Sequence, residues 1–176
     1  MADTACHVLH APLRPGLTLV LGLMHKLSRR IDSVVALVIG FALLAATFIV
    51  GDPIYAGAWY YLIAWFGLVG LVQLAKAPPL LTTGAAAALA ASFLFYWVWQ
   101  ASLPQPDGLL GLGHLFSLPG LGIAAVIAAV VAHRRQMLPR TAFAIGLLAC
   151  CAGFATAQFV VCRSMMYCGA LSGHVG

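Results

Sequence analysis

Between Ile31 and Cys162 the chain carries five apolar stretches, each near the roughly 20 residues that a helix needs to cross about 30 Å of hydrocarbon at about 1.5 Å per residue. Short charged or Pro/Gly-rich breaks separate them, and almost every Lys and Arg falls into alternate breaks. Few folds accommodate this order. A backbone exposed to lipid must satisfy its own N–H and C=O groups, and stretches of this length without period-two alternation are not barrel strands. The pattern predicts an all-α integral membrane protein: a bundle of five transmembrane helices over 31–162, with spans at about 32–50, 56–75, 80–100, 114–132 and 141–161.

Charge content points the same way. Only 7% of the residues are charged and 63% are hydrophobic, with a mean hydropathy of +1.02, whereas a soluble domain is about 25% charged. No composition shift marks a second domain, so one membrane domain is expected between an N-terminal segment, 1–30, and a tail, 163–176. Local signals set its boundaries. Asp32 or Ser33 is expected to cap the first helix, Gly51-Asp52-Pro53 to stop it, Ala77-Pro78-Pro79 to turn the chain after the second, and Pro139 to precede the fifth. Leu13 to Met24 is apolar but too short to cross. It reads as a short interfacial helix whose basic end, Lys26 to Arg30, rests on anionic head groups.

Basic residues give the expected orientation, because short loops rich in Lys and Arg stay in the cytoplasm. In a five-span arrangement Arg14, Lys26, Arg29, Arg30, Lys76, Arg134, Arg135 and Arg140 share one side, and Arg163 lies on the other with Asp52 and Asp107. The N-terminus is therefore expected to be cytoplasmic and the C-terminal tail exterior or periplasmic, with the chain multi-pass in the cytoplasmic (inner) membrane. Trp59, Tyr60 and Tyr61 open the second span and Tyr96, Trp97 and Trp99 close the third, which predicts an interfacial aromatic belt on the outer side. The functional alternative for the same rings is a slot for a quinone or lipid between the two helices.

Enzyme signatures are scarce. There is no Glu, and of the four Asp only Asp52 and Asp107, in two exterior loops, could form a paired-carboxylate site; no catalytic residue is assigned. Gly108-Leu109-Leu110-Gly111-Leu112-Gly113 follows no strand, so it reads as a flexible entry to the fourth span rather than a phosphate cradle. His114 and His133 are about 28 Å apart at helical rise, too far to share a metal or haem, and both are expected at an interface or in a loop. Small residues recur every fourth position at Gly84, Ala88 and Ser92, at Ala124, Ala128 and Ala132, and at Ala149, Gly153 and Ala157. Such stripes let membrane helices approach closely.

Sulfur collects at the C-terminal end. Cys150-Cys151 lies in the fifth span, and Cys162, Met165, Met166 and Cys168 follow at its outer edge. At about 100° per residue Cys151, Gln158, Cys162 and Met165 share one helix face. Cys151, Cys162, Met165, Met166 and Cys168, with His174, therefore form a candidate set for Cu(I) or another soft, thiophilic ion passed from the exterior tail to a mid-membrane thiol. The vicinal pair inside a span resembles a feature of mercuric-ion transport proteins over those two residues alone, without the cytoplasmic cysteine pair of such carriers. A simpler use for Cys162 and Cys168 is a disulfide in an oxidising compartment.

The reading that uses the fewest assumptions is a non-catalytic accessory or interaction subunit that works through helix–helix contacts. Its partners would be the lipid bilayer and another membrane protein subunit, with no nucleic acid and no cofactor. A soft-metal or small-solute carrier using the cysteines, and a membrane enzyme acting on a lipid or quinone near the aromatic belt, are the alternatives.

Overall fold

The computed structural model describes residues 15–50, 57–102 and 109–164. Within them five helices follow in chain order: α1 (Pro15–Val50), α2 (Ala58–Leu74), α3 (Leu81–Ser102), α4 (Leu109–Arg134) and α5 (Pro139–Ser164). No strand occurs among the described residues. Four helices are long and apolar enough to cross a membrane, over Ser28–Ile49, Leu81–Ser102, Gly111–Arg134 and Pro139–Ser164; α2, with 17 residues, is shorter.

Two helices begin earlier than the sequence signals suggest. α1 runs unbroken for 36 residues from Pro15, so the apolar segment expected to form a separate short helix continues directly into the first span. Proline suits a first helical position because its missing N–H would have no intrahelical partner there. Asp32 and Ser33 consequently lie deep inside α1 and neither caps it, contrary to expectation; the Ser33 hydroxyl donates back to the Arg29 carbonyl at 3.1 Å. α4 begins at Leu109, so the glycines at 111 and 113 are helical rather than a flexible entry. An apolar setting favours internal backbone hydrogen bonding even where glycine costs conformational entropy.

The helix ends facing the basic loops close by one mechanism. After α2, Ala77 N–H donates to Val72 C=O (3.3 Å) and Lys76 N–H to Gln73 C=O (3.0 Å), with Lys76 at φ 55°. After α4, Met137 N–H donates to Ala132 C=O and Gln136 N–H to His133 C=O, both at 3.2 Å, with Gln136 at φ 46°. Both are Schellman turns with a non-glycine residue in the left-handed position, and proline soon afterwards prevents the helix from resuming.

Small residues determine which helices meet. A Cβ on Gly153 would sit 2.6 Å from the Gly120 carbonyl oxygen, and the reciprocal approach is equally tight, so α4 and α5 cross backbone to backbone. A Cβ on Gly146 would lie 2.7 Å from the Leu81 carbonyl oxygen, and Gly84 lies against Phe143, which locks α3 to α5. Between α1 and α2 the space over Gly40 is filled by the Trp65 indole, whose Nε1–H donates to Ala36 C=O at 2.7 Å. The interior is rich in alanine (Ala85, Ala88, Ala125, Ala129, Ala132), while Val38, Phe48, Ile63, Val98, Ile123 and Leu148 face outward. Large apolar residues outside and small ones inside are the arrangement expected where lipid replaces water and close packing drives association.

Candidate functional site

The most concentrated polar chemistry lies where the start of α2, the end of α3, the start of α4 and the end of α5 converge. At its centre is His114, 0% exposed. Ser92 Oγ–H donates to the Leu89 carbonyl at 2.7 Å, and the same oxygen lies 3.0 Å from His114 Nε2. With the serine's single proton directed at Leu89, Nε2–H must be the donor to Ser92, which leaves Nδ1 to accept from the Tyr60 hydroxyl at 2.5 Å. The bonds thus assign one tautomer and hold the ring from both sides. Aromatic rings enclose it, with centroids at 4.5 Å for Phe93, 4.7 Å for Tyr96, 5.2 Å for Phe154 and 5.9 Å for Tyr60.

A second polar group adjoins the first through Tyr96. The Tyr96 hydroxyl donates to Gln158 Oε1 at 2.6 Å. Ser117 Oγ lies 2.6 Å from the same oxygen and 2.8 Å from the Gly113 carbonyl, two acceptors for one proton. Gln158 Nε2 donates to Cys162 Sγ at 3.0 Å. Four helices are therefore tied by side-chain hydrogen bonds in one region, where an unmade bond in an apolar interior costs more than in water.

His114 is in the core rather than at an interface, because Tyr60 and Ser92 supply the two partners that a buried imidazole needs. Tyr61 and Tyr96 are buried too, and the Tyr61 hydroxyl accepts from Trp97 Nε1–H at 3.3 Å. Of the predicted belt Trp59 is the most outward, at 77% exposure. No single-helix periodicity reveals the cluster. The available signal is depth: Tyr60, Tyr96 and His114 all fall at span ends on one side, and membrane helices bring together hydrogen-bonding groups of equal depth.

At the opposite end lies the only described acid, Asp32, at 2% exposure. Its Oδ1 accepts from Thr83 N–H (2.9 Å) and the Thr83 hydroxyl (2.5 Å), and its Oδ2 from Thr82 N–H (3.2 Å). These N–H groups belong to the first turn of α3, where no intrahelical acceptor exists and the helix dipole favours an anion. Asp32 thus caps a different helix from the one it was expected to cap. Gln73 extends the joint, its Nε2 donating to Ser33 Oγ at 2.6 Å and lying 3.3 Å from Thr82 Oγ1. Lys76 lies in the turn after α2, and Arg134, Arg135 and Arg140 border the turn between α4 and α5.

The candidate metal residues divide. Met165, Met166, Cys168 and His174 lie outside the described residues, as do Asp52 and Asp107. Cys150 is buried and Cys151 exposed, both free thiols. Cys162 is buried at the end of α5, and Cys168, the partner expected for it in a disulfide, lies outside the described residues. At helical rise Cys151 and Cys162 are about 16 Å apart along α5, so the two would hold an ion in turn rather than together. No group of three His, Cys, Asp or Glu side chains is placed to hold a metal among the described residues.

Two grooves open on the outer surface. One, about 580 Å³, runs between α2 and α4 past Ala64, Gly67, Leu71, Pro119 and Gly122. The other, about 430 Å³, runs between α3 and α5 past Ala88, Phe95, Cys151, Ala155 and Phe159, with Ser92 and Gln158 in its lining. No protein-family model, no curated protein and no solved structure matches this chain.

Proposed function

We propose that this chain is a multi-pass protein of the cytoplasmic membrane, N-terminus inside and tail outside, that serves as a non-catalytic interaction subunit, docking another membrane protein through its helices. The observation that carries this reading is the contrast among its glycines. Gly84, Gly120, Gly146 and Gly153 are closed against neighbouring helices, whereas nothing lies within 4 Å of a Cβ on Gly67 or Gly70, and Gly122 meets only Leu71 Cδ1 at 3.6 Å. Gly67 and Gly122 line the α2–α4 groove. Small residues with open space above them permit another helix to approach closely. The polar groups of the His114 cluster are engaged with one another inside the bundle, which agrees with a structural role for them. Cys162 pairing with Cys168 would fasten the tail to the outer end of α5.

The test is purification in mild detergent of the wild type and of Gly67→Leu. A partner that co-purifies stoichiometrically with the wild type and is lost from the variant supports docking at the α2–α4 groove. A wild type that remains alone after crosslinking in native membranes refutes it. Orientation is checked separately by labelling Cys162 and Cys168 in intact cells with an impermeant thiol reagent. Labelling only after reduction is expected; labelling only after permeabilisation would reverse the topology.

A further inference from the structure

The α3–α5 groove differs from the α2–α4 groove in having a cation at its end. It is lined by Phe95, Phe154 and Phe159 and by the small residues Ala88, buried, and Ala91 and Ala155, exposed. Ser92 and Gln158 also line it, but the serine hydroxyl is directed at Leu89 and the glutamine amide is bonded to Tyr96 and Cys162. The surface offered to an occupant is consequently almost all hydrocarbon. At the outer end, the Arg163 guanidinium lies 4.8 Å from the centroid of the Phe159 ring. Arg163 is exposed, and it is the only Lys or Arg among the described residues beyond the middle of α5. From Cys151 to Arg163 the groove and its cation extend about 18 Å along α5 at helical rise. A volume near 430 Å³ falls within the roughly 300–1,000 Å³ of ligand pockets.

We infer that this groove binds an acyl-chain amphiphile with an anionic head group, the chain lying over Ala88, Ala91 and Ala155 and the head paired with Arg163. The carboxylate of a fatty acid and the phosphate of a phospholipid meet the same chemistry. An apolar groove alone does not distinguish lipids, because every acyl chain is equally apolar; the charge at its mouth does. A guanidinium is suited to this task, since it forms paired hydrogen bonds with carboxylate or phosphate while its face remains on an aromatic ring. The inference rests on the membrane reading above but not on the α2–α4 docking surface, and its test is carried out in detergent.

Cys151 supplies the readout, because its thiol is free, exposed and part of the groove lining. In a background where Cys151 is the sole cysteine (Cys6→Ser, Cys150→Ala, Cys162→Ser, Cys168→Ser), the rate of N-ethylmaleimide labelling is measured with dodecanoate, with dodecyl phosphate and with uncharged dodecanol. Both anions should slow labelling, at concentrations where dodecanol does not. Arg163→Gln, at an exposed helix end, should weaken protection by the anions about fivefold, the effect of one exposed charge pair. Ala91→Phe, which fills the groove from its exposed side, should abolish protection. Protection by one anion only would identify the head group. Equal protection by dodecanol, insensitivity to Arg163→Gln, or no protection by any of the three would overturn the assignment.

Discussion

Asp32→Ala is the substitution whose effect the structure defines most closely. The carboxylate accepts three hydrogen bonds from the first turn of α3, at 2.9, 2.5 and 3.2 Å, and is 2% exposed. Bonds to a charged group contribute about 1.5–3 kcal/mol each, and loss of a helix N-cap costs about 0.5–2 kcal/mol. Removing the carboxylate also removes the penalty of burying its charge, which offsets part of the loss. The expected net destabilisation is about 3 kcal/mol for Asp32→Ala, more than a hundredfold in the folding equilibrium. Asp32→Asn keeps one acceptor oxygen, so it should lose about 1 kcal/mol. The assay is SDS-induced unfolding of detergent-solubilised protein, followed by tryptophan fluorescence and far-ultraviolet circular dichroism. A double-mutant cycle with Thr83→Ala should show about 1 kcal/mol of coupling. Equal loss in the Ala and Asn variants, or an Ala variant within about 0.5 kcal/mol of wild type, would refute the capping argument.

Tyr60→Phe and Ser92→Ala should each destabilise by about 1–2 kcal/mol, because each leaves one nitrogen of the buried His114 ring without its partner; the same unfolding assay measures this, and two neutral variants would show that the ring is not held from both sides. Gly146→Val should lower stability by about 2–3 kcal/mol, because its branched side chain meets the Leu81 backbone rather than a movable side chain. Lys76→Gly should stabilise by about 1 kcal/mol, since Lys76 occupies a left-handed position that glycine adopts without a Cβ penalty; Gln136→Gly should gain less, because it also loses the hydrogen bond from Gln136 Nε2 to the His133 carbonyl at 2.9 Å, and a decrease for Lys76→Gly would refute the strain argument.

Helices are more legible in this sequence than the partnerships between them. The ends of α2 and α3 fall within two residues of the predicted spans because proline pairs and basic turns mark them locally. The start of α1 was obscured because the Lys26–Arg30 charges interrupt hydropathy without interrupting helical backbone. Gly84 and Gly153 were legible as packing positions, since close approach leaves a mark at every fourth residue. Asp32 and His114 were not. Their partners lie 50 and 54 residues away in the chain, and a hydrogen bond between helices leaves no period in either one. A residue that is polar and near a span end has the same appearance whether it turns toward head groups or toward another helix.

The unbroken course of α1 has a mechanical consequence. At about 1.5 Å per residue its 36 residues make a rod about 54 Å long, longer than the hydrocarbon layer is thick. Asp32 fastens that rod to the first turn of α3 near its midpoint, with an arm of about 25 Å on the Pro15 side. Beyond Asp32 the rod is held again, by Gln73 on Ser33 and Trp65 on Ala36, so a sideways force on the Pro15 end would fall first on the Asp32 joint and the head of α3 rather than on the span beyond it.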